Sequence, residues 1–163
     1  MEIGSQSLFA EAAFQNISKK GEGNVILTFS SIHSFLSHCA NISKILWSNG
    51  EGGIRETVGE NIASLLGIEE SSPIKDMSFR NDFEHYDERL VRWVRNALQK
   101  KEGYSIVDYT MNPIVRDNTL YLRTYDPDKK IYTSINRNLD LGILYQELLR
   151  VRALAAQYNP FSS

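Results

Sequence analysis

The sequence predicts a mainly α fold: a helical bundle of four to five helices with a late β-hairpin insertion. Three observations carry that prediction. Apolar residues recur at three- and four-residue steps through most of the chain up to residue 101. The same spacing returns after Asp140. Between them, two short runs rich in threonine, tyrosine and isoleucine flank Asp126-Pro127-Asp128-Lys129, a strong turn signal. The 163 residues then form a single domain. Its helical core spans about 5–101 plus 140–157, and the hairpin spans about 119–135.

The first helix runs from Ser5 to Lys20, with Leu8, Phe9, Ala12, Ala13 and Ile17 on its apolar face and Gly21 and Gly23 breaking it. The second runs from about Asn24 to Trp47. Val25, Phe29, Ile32, Leu36 and Cys39 form its stripe, with Phe35 and Leu46 beside it. The third spans about Ile54 to Leu66 and uses Ile54, Val58, Ile62 and Leu65; Gly59 weakens its interior by about 1 kcal/mol relative to alanine. Ser71-Ser72-Pro73 then opens a fourth helix reaching Lys101. Its apolar arc is Phe79, Phe83, Tyr86, Leu90, Trp93, Val94 and Ala97, the most strongly amphipathic in the chain.

Gly103 ends the helical half, and Tyr104 to Asp117 reads as β-like or irregular, with Pro113 barring a helix. Thr119 to Tyr125 and Ile131 to Ile135 are the two hairpin strands. An isolated hairpin is marginal in water, so this one must lean on the helices or on a partner. Asp140 caps the last helix, whose apolar face is Leu141, Leu144, Leu148, Val151 and Ala155.

Eighteen Lys plus Arg against 20 Asp plus Glu leave a net charge of −2. That excludes a globally basic nucleic-acid binder and leaves room for a local basic patch. The single cysteine, Cys39, cannot form an intramolecular disulfide and fits a reducing compartment. No signal sequence or membrane-length apolar run is legible, so the expectation is a soluble cytoplasmic protein without membrane contact.

The constellation with chemical content is Arg80-Asn81-Asp82-Phe83-Glu84-His85. On a helix, Arg80 and His85 lie about 140° apart, while Asn81 lies about 40° from His85 and one turn before it. One exposed helix would not focus Arg80 and His85 on one atom; a groove between packed helices or subunits would. Histidine can transfer a proton near neutral pH, and arginine offers a planar, permanently charged fork for phosphate. The competing reading pairs Arg80 with Glu84 one turn on, worth about 0.2–0.5 kcal/mol, and leaves His85 exposed.

Arginine, a polar residue, three residues and a histidine on a bundle helix resemble the motif of HEPN-domain proteins, matched here by Arg80, Asn81 and His85. The resemblance covers about residues 5–101 plus the last helix; the hairpin is not part of that family's usual core. It implies a metal-independent endoribonuclease acting on RNA without a cofactor, commonly a homodimer. Arg80, Asn81 and His85 would be catalytic, and Glu84, Arg92 and Arg95 would bind substrate. A protein partner such as a cognate antitoxin belongs to the same expectation. The alternative is a non-catalytic helical module that binds a nucleotide or a protein.

Other features carry less. Arg89, Arg92, Arg95, Lys100 and Lys101 form either an RNA-backbone track or an ordinary solvated face matched to the helix dipole. Tyr121, Tyr125 and Tyr132 with Arg123 read either as base-stacking residues or as cross-strand pairs. His33 and His38 are five apart, not at the spacing of a helical metal pair, and no metal site is expected. Cys39 falls on an apolar stripe and reads as buried and inert.

Overall fold

Asn24 starts the most deeply buried helix. Its side-chain oxygen accepts from the Ile26 N–H at 2.8 Å, and helix α2 follows over Val25–Leu46. A computed structural model of the chain describes residues 2–17, 23–47, 53–75, 86–100, 105–114, 116–135 and 137–158. Among them are five α-helices and, late in the chain, a small set of strands. The protein is mainly α with a C-terminal β part.

Helix α2 buries Phe29, Ile32, Phe35, Leu36, Cys39, Ile42 and Leu46, close to the expected stripe. Val25 is the exception and lies exposed beside Ile26 and Leu27. Helix α1 (Glu2–Gln15) starts before the expected Ser5 and packs on α2 by a face the periodicity selected only in part: of the expected set, Ala13 and, just past the helix, Ile17 are buried. Ile3, Ser7, Ala10 and Ala13 are buried, whereas Leu8 and Phe9 are exposed. The Ser7 hydroxyl donates to the Ile3 carbonyl at 2.7 Å, which satisfies it without a longer reach. Small side chains let the two helices approach.

Helix α3 (Ile54–Leu65) repeats that correction. Gly59, Ala63 and Leu66 are buried, while Ile54, Val58 and Leu65 face solvent and Ile62 is half-buried. A Cβ at Gly59 would lie 2.7 Å from the Leu46 carbonyl oxygen and 2.8 Å from that of Ile45. The glycine that weakens the helix is thus what lets α3 rest on the end of α2. Gly67, at φ 63°, closes α3, with the Ile68 N–H on the Ala63 carbonyl at 2.8 Å and the Gly67 N–H on Ser64 at 3.0 Å.

The expected cap of a fourth helix at Ser71-Ser72-Pro73 is instead a single 3-10 turn, Pro73–Lys75, that plugs Ile74 into the core. The Ser72 hydroxyl is directed to Glu147 of the last helix, at 2.5 Å. An α-helix, α4, is described over Tyr86–Lys100.

Six strands are described among the residues that follow: β1 (Ser105–Val107), β2 (Thr110–Met111), β3 (Thr119–Tyr121), β4 (Arg123–Asp126), β5 (Ile131–Ser134) and β6 (Arg137–Asp140). The expected hairpin forms in part: only Arg123–Asp126 pair with Ile131–Ser134, while Thr119–Tyr121, expected in the same strand, pair with β1; Asp126 Oδ1 accepts from the Asp128 and Lys129 N–H groups in the turn. The hairpin is not isolated. β6 pairs antiparallel to β5, and β2 pairs parallel to β4, giving the order β2-β4-β5-β6; β1 and β3 form a parallel pair beside it. Ile135 is not a strand residue. It turns the chain between β5 and β6 at φ 48°, a region costly for a β-branched side chain.

Asp140 caps helix α5 (Leu141–Gln157) through the Ile143 N–H at 2.9 Å. The buried face of α5 is Leu141, Leu144, Leu148, Val151 and Ala155, the set the spacing selected. It packs against α1, where Tyr145 stacks on Phe14 at 3.9 Å between ring centres and Arg152 pairs with Glu11. Helices α1, α2 and α5 therefore share one core, with α3 and the 3-10 turn at its margin.

Candidate functional site

Arg80, Asn81, Glu84 and His85 lie outside the described residues. The described part of α4 starts at Tyr86, the next residue after them. Arg92 and Arg95 are both exposed on that helix, about two and three turns beyond its start. Arg95 borders an open apolar groove with Leu90, Val91, Val94 and Gln99. Arg89 is half-buried. Of the aromatic arc expected on this helix, Trp93 is the described anchor: it is buried and meets the sheet.

Strand alternation builds that meeting place. Directly opposed residues share a face, and successive residues alternate faces. The registers place Met111, Tyr125, Tyr132 and Leu139 in one row across four strands, and this row packs on the helical core. The neighbouring row is Thr110, Thr124, Thr133 and Asn138, and it faces away from that core. Thr124 and Thr133 line a cavity of about 300 Å³ with Trp93, Pro113, Arg116, Thr119, Leu120 and Tyr121. The Tyr121 hydroxyl donates to the Ile114 carbonyl at 2.6 Å, which fixes its ring. The Thr133 hydroxyl donates to Asn138 Oδ1 at 2.8 Å. Thr124 is 7% exposed, and among the described residues its hydroxyl has no hydrogen-bond partner.

The base-stacking reading of the tyrosines is therefore corrected for two of the three. Tyr125 and Tyr132 are opposed cross-strand partners sealed beneath the sheet, and burial raises the Tyr125 pKa. Arg123 lies on that inner side too. Its guanidinium forms a two-pronged ion pair with Asp108 and rests 4.0 Å over the Tyr109 ring. Only Tyr121 lines the cavity.

His33 of α2 joins this inner cluster, with Nε2 3.3 Å from the Tyr132 hydroxyl and its ring tilted against Tyr109. Burial, aided by the charge on Arg123, lowers the His33 pKa, while Asp108 opposes the shift. His38 stands apart: its Nδ1 is 2.7 Å from Gln6 Oε1, and burial lowers its pKa as well. Among the described residues no three His, Cys, Asp or Glu side chains are grouped to hold a metal ion. Cys39 is fully buried in the core, which pushes its thiol pKa far up and leaves no nucleophile there. No described helix is long and apolar enough to cross a membrane.

Sequence reasoning missed the threonine row. Its signal was present as threonines at alternate positions beside the tyrosines, but the row exists only once strands distant in the chain are in register. No protein-family model matches the chain, and neither the curated proteins nor the solved structures contain a match to it.

Proposed function

We propose that the chain is a HEPN-like, metal-independent endoribonuclease. In this reading its helices form that family's four- to five-helix bundle, and two copies build the active crevice. His85 moves the proton of the ribose 2′-hydroxyl or of the leaving oxygen. Arg80 holds the phosphate where negative charge develops. Asn81 orients His85, and Glu84, Arg92 and Arg95 contact the substrate strand.

The observation that carries the reading is positional. The Arg80-Asn81-His85 motif directly precedes, in the sequence, the described part of α4, which presents Arg92 and Arg95 to solvent. A proton-transfer group followed in the sequence by exposed cations suits a polyanion, because phosphate contacts track a backbone without reading its sequence.

The test is cleavage of a labelled single-stranded RNA in excess EDTA by the parent, His85→Ala and Arg80→Ala. Activity in the parent, lost in both variants at unchanged thermal unfolding, supports the proposal. Equal cleavage by parent and His85→Ala overturns it.

A further inference from the structure

We infer that the cavity between α4 and the outer face of the sheet is a binding pocket for one nucleotide, a nucleobase whose ribose carries a phosphate. This deepens the proposed RNA reading by naming a base subsite, and it rests on that reading for its choice of ligand. The volume, about 300 Å³, lies at the lower end of small-molecule sites and suits one ring system with a short polar appendage.

The lining specifies the ligand class. Trp93 and Tyr121 supply aromatic surface, and Leu120 and Pro113 supply apolar wall. A flat heterocycle fits such walls, and base–aromatic contact tolerates any base. Among the described lining residues there is no carboxylate and one cation, the exposed Arg116, which matches a ligand with negative charge at one end. An arginine fork matches phosphate geometry.

The strongest pointer is the Thr124–Thr133 pair. These residues are directly opposed in register, so their side chains stand about 5 Å apart. Thr133 has already committed its proton to Asn138, which leaves its oxygen as an acceptor. Thr124 is buried with an uncommitted hydroxyl proton, among the described residues, which makes it a donor. A buried hydroxyl without a partner costs stability unless something pairs with it. Donor beside acceptor, on one wall of an aromatic slot, complements the amide or amidine edge of a nucleobase.

The test is calorimetric titration of the full chain with uridine and adenosine 5′-monophosphates, the two nucleosides, benzoate and a single-stranded tetraribonucleotide, with tryptophan fluorescence as a second readout. Saturable mononucleotide binding that quenches fluorescence is expected. Arg116→Ala should weaken the nucleotide about tenfold and leave the nucleoside unchanged. Thr124→Val should weaken both while keeping the unfolding temperature. Competition by the tetraribonucleotide assigns the pocket to RNA; mononucleotide binding that the oligomer does not displace assigns it to a free nucleotide. Absence of saturation, benzoate binding as tightly, or unchanged binding in both pocket variants overturns the inference. Cleavage without pocket binding overturns the pocket alone, and pocket binding without cleavage overturns the nuclease reading alone.

Discussion

The two faces of the sheet are made from the same strands and do opposite things. The inner row, Met111, Tyr125, Tyr132 and Leu139, is pressed on the helices, with the Tyr132 hydroxyl against His33. The outer row, Thr110, Thr124, Thr133 and Asn138, is roofed only in part by Trp93 and encloses space. A one-residue offset in each strand separates packing from binding. The lesson is that a functional surface can be set by alternation alone, provided the opposite face is anchored firmly enough to hold the register.

That difference can be broken from the inside first. Phe29 is 1% exposed and touches both Tyr109 and Tyr132 by ring edge. Phe29→Ala should destabilise the protein by about 3–5 kcal/mol, read as a lower urea midpoint. It should also loosen the outer row, detected as faster amide exchange at Thr124 and Thr133. Fast exchange confined to the helices would separate the two faces.

Asp108→Asn comes next. Arg123 keeps its position over Tyr109 but loses its counter-charge in a half-buried setting. A loss of roughly 1–3 kcal/mol is expected in the same measurement. A third change should gain stability: Ile135→Asn relieves a β-branched residue at φ 48° by about 1 kcal/mol, seen as a higher unfolding temperature.

The smallest effect is a slope with pH. The His33 pKa is lowered in the folded state, chiefly by burial and then by Arg123. The unfolded chain therefore binds more protons between the folded value and about 6.5. Stability should rise with pH across that window and be lower beneath it. His33→Asn should flatten the slope in urea titrations at several pH values. Asp108→Asn should widen the window downward, because Asp108 opposes the shift.

Much of the helical half was legible. α2 and α5 are long, carry large apolar residues on one stripe, and have capping side chains at Asn24 and Asp140. α3 was placed closely but turned away from its buried face, and α1 was displaced along the chain, with only Ala13 and Ile17 of its expected face buried. Their buried faces hold Ala10, Ala13, Gly59 and Ala63, whose small side chains give a weak hydropathy signal, while Leu8, Phe9, Ile54 and Val58 look outward. The hairpin was readable because its pairing is local; the parallel partners Thr110↔Thr124 were not, because nothing in either segment names the other. Of the candidate sites, the arginine–histidine motif was visible as a spacing. The cavity was not, since its walls come from α4, the 112–118 connection and three strands.

The docking of α5 on α1 joins the last described helix to the first. During synthesis at about 5–20 residues per second, the first helix would wait roughly seven to thirty seconds for its partner to leave the ribosome. The face of Phe14 that stacks on Tyr145 stays uncovered for that interval, so a nascent or prematurely terminated chain offers chaperones a binding surface that the finished protein closes.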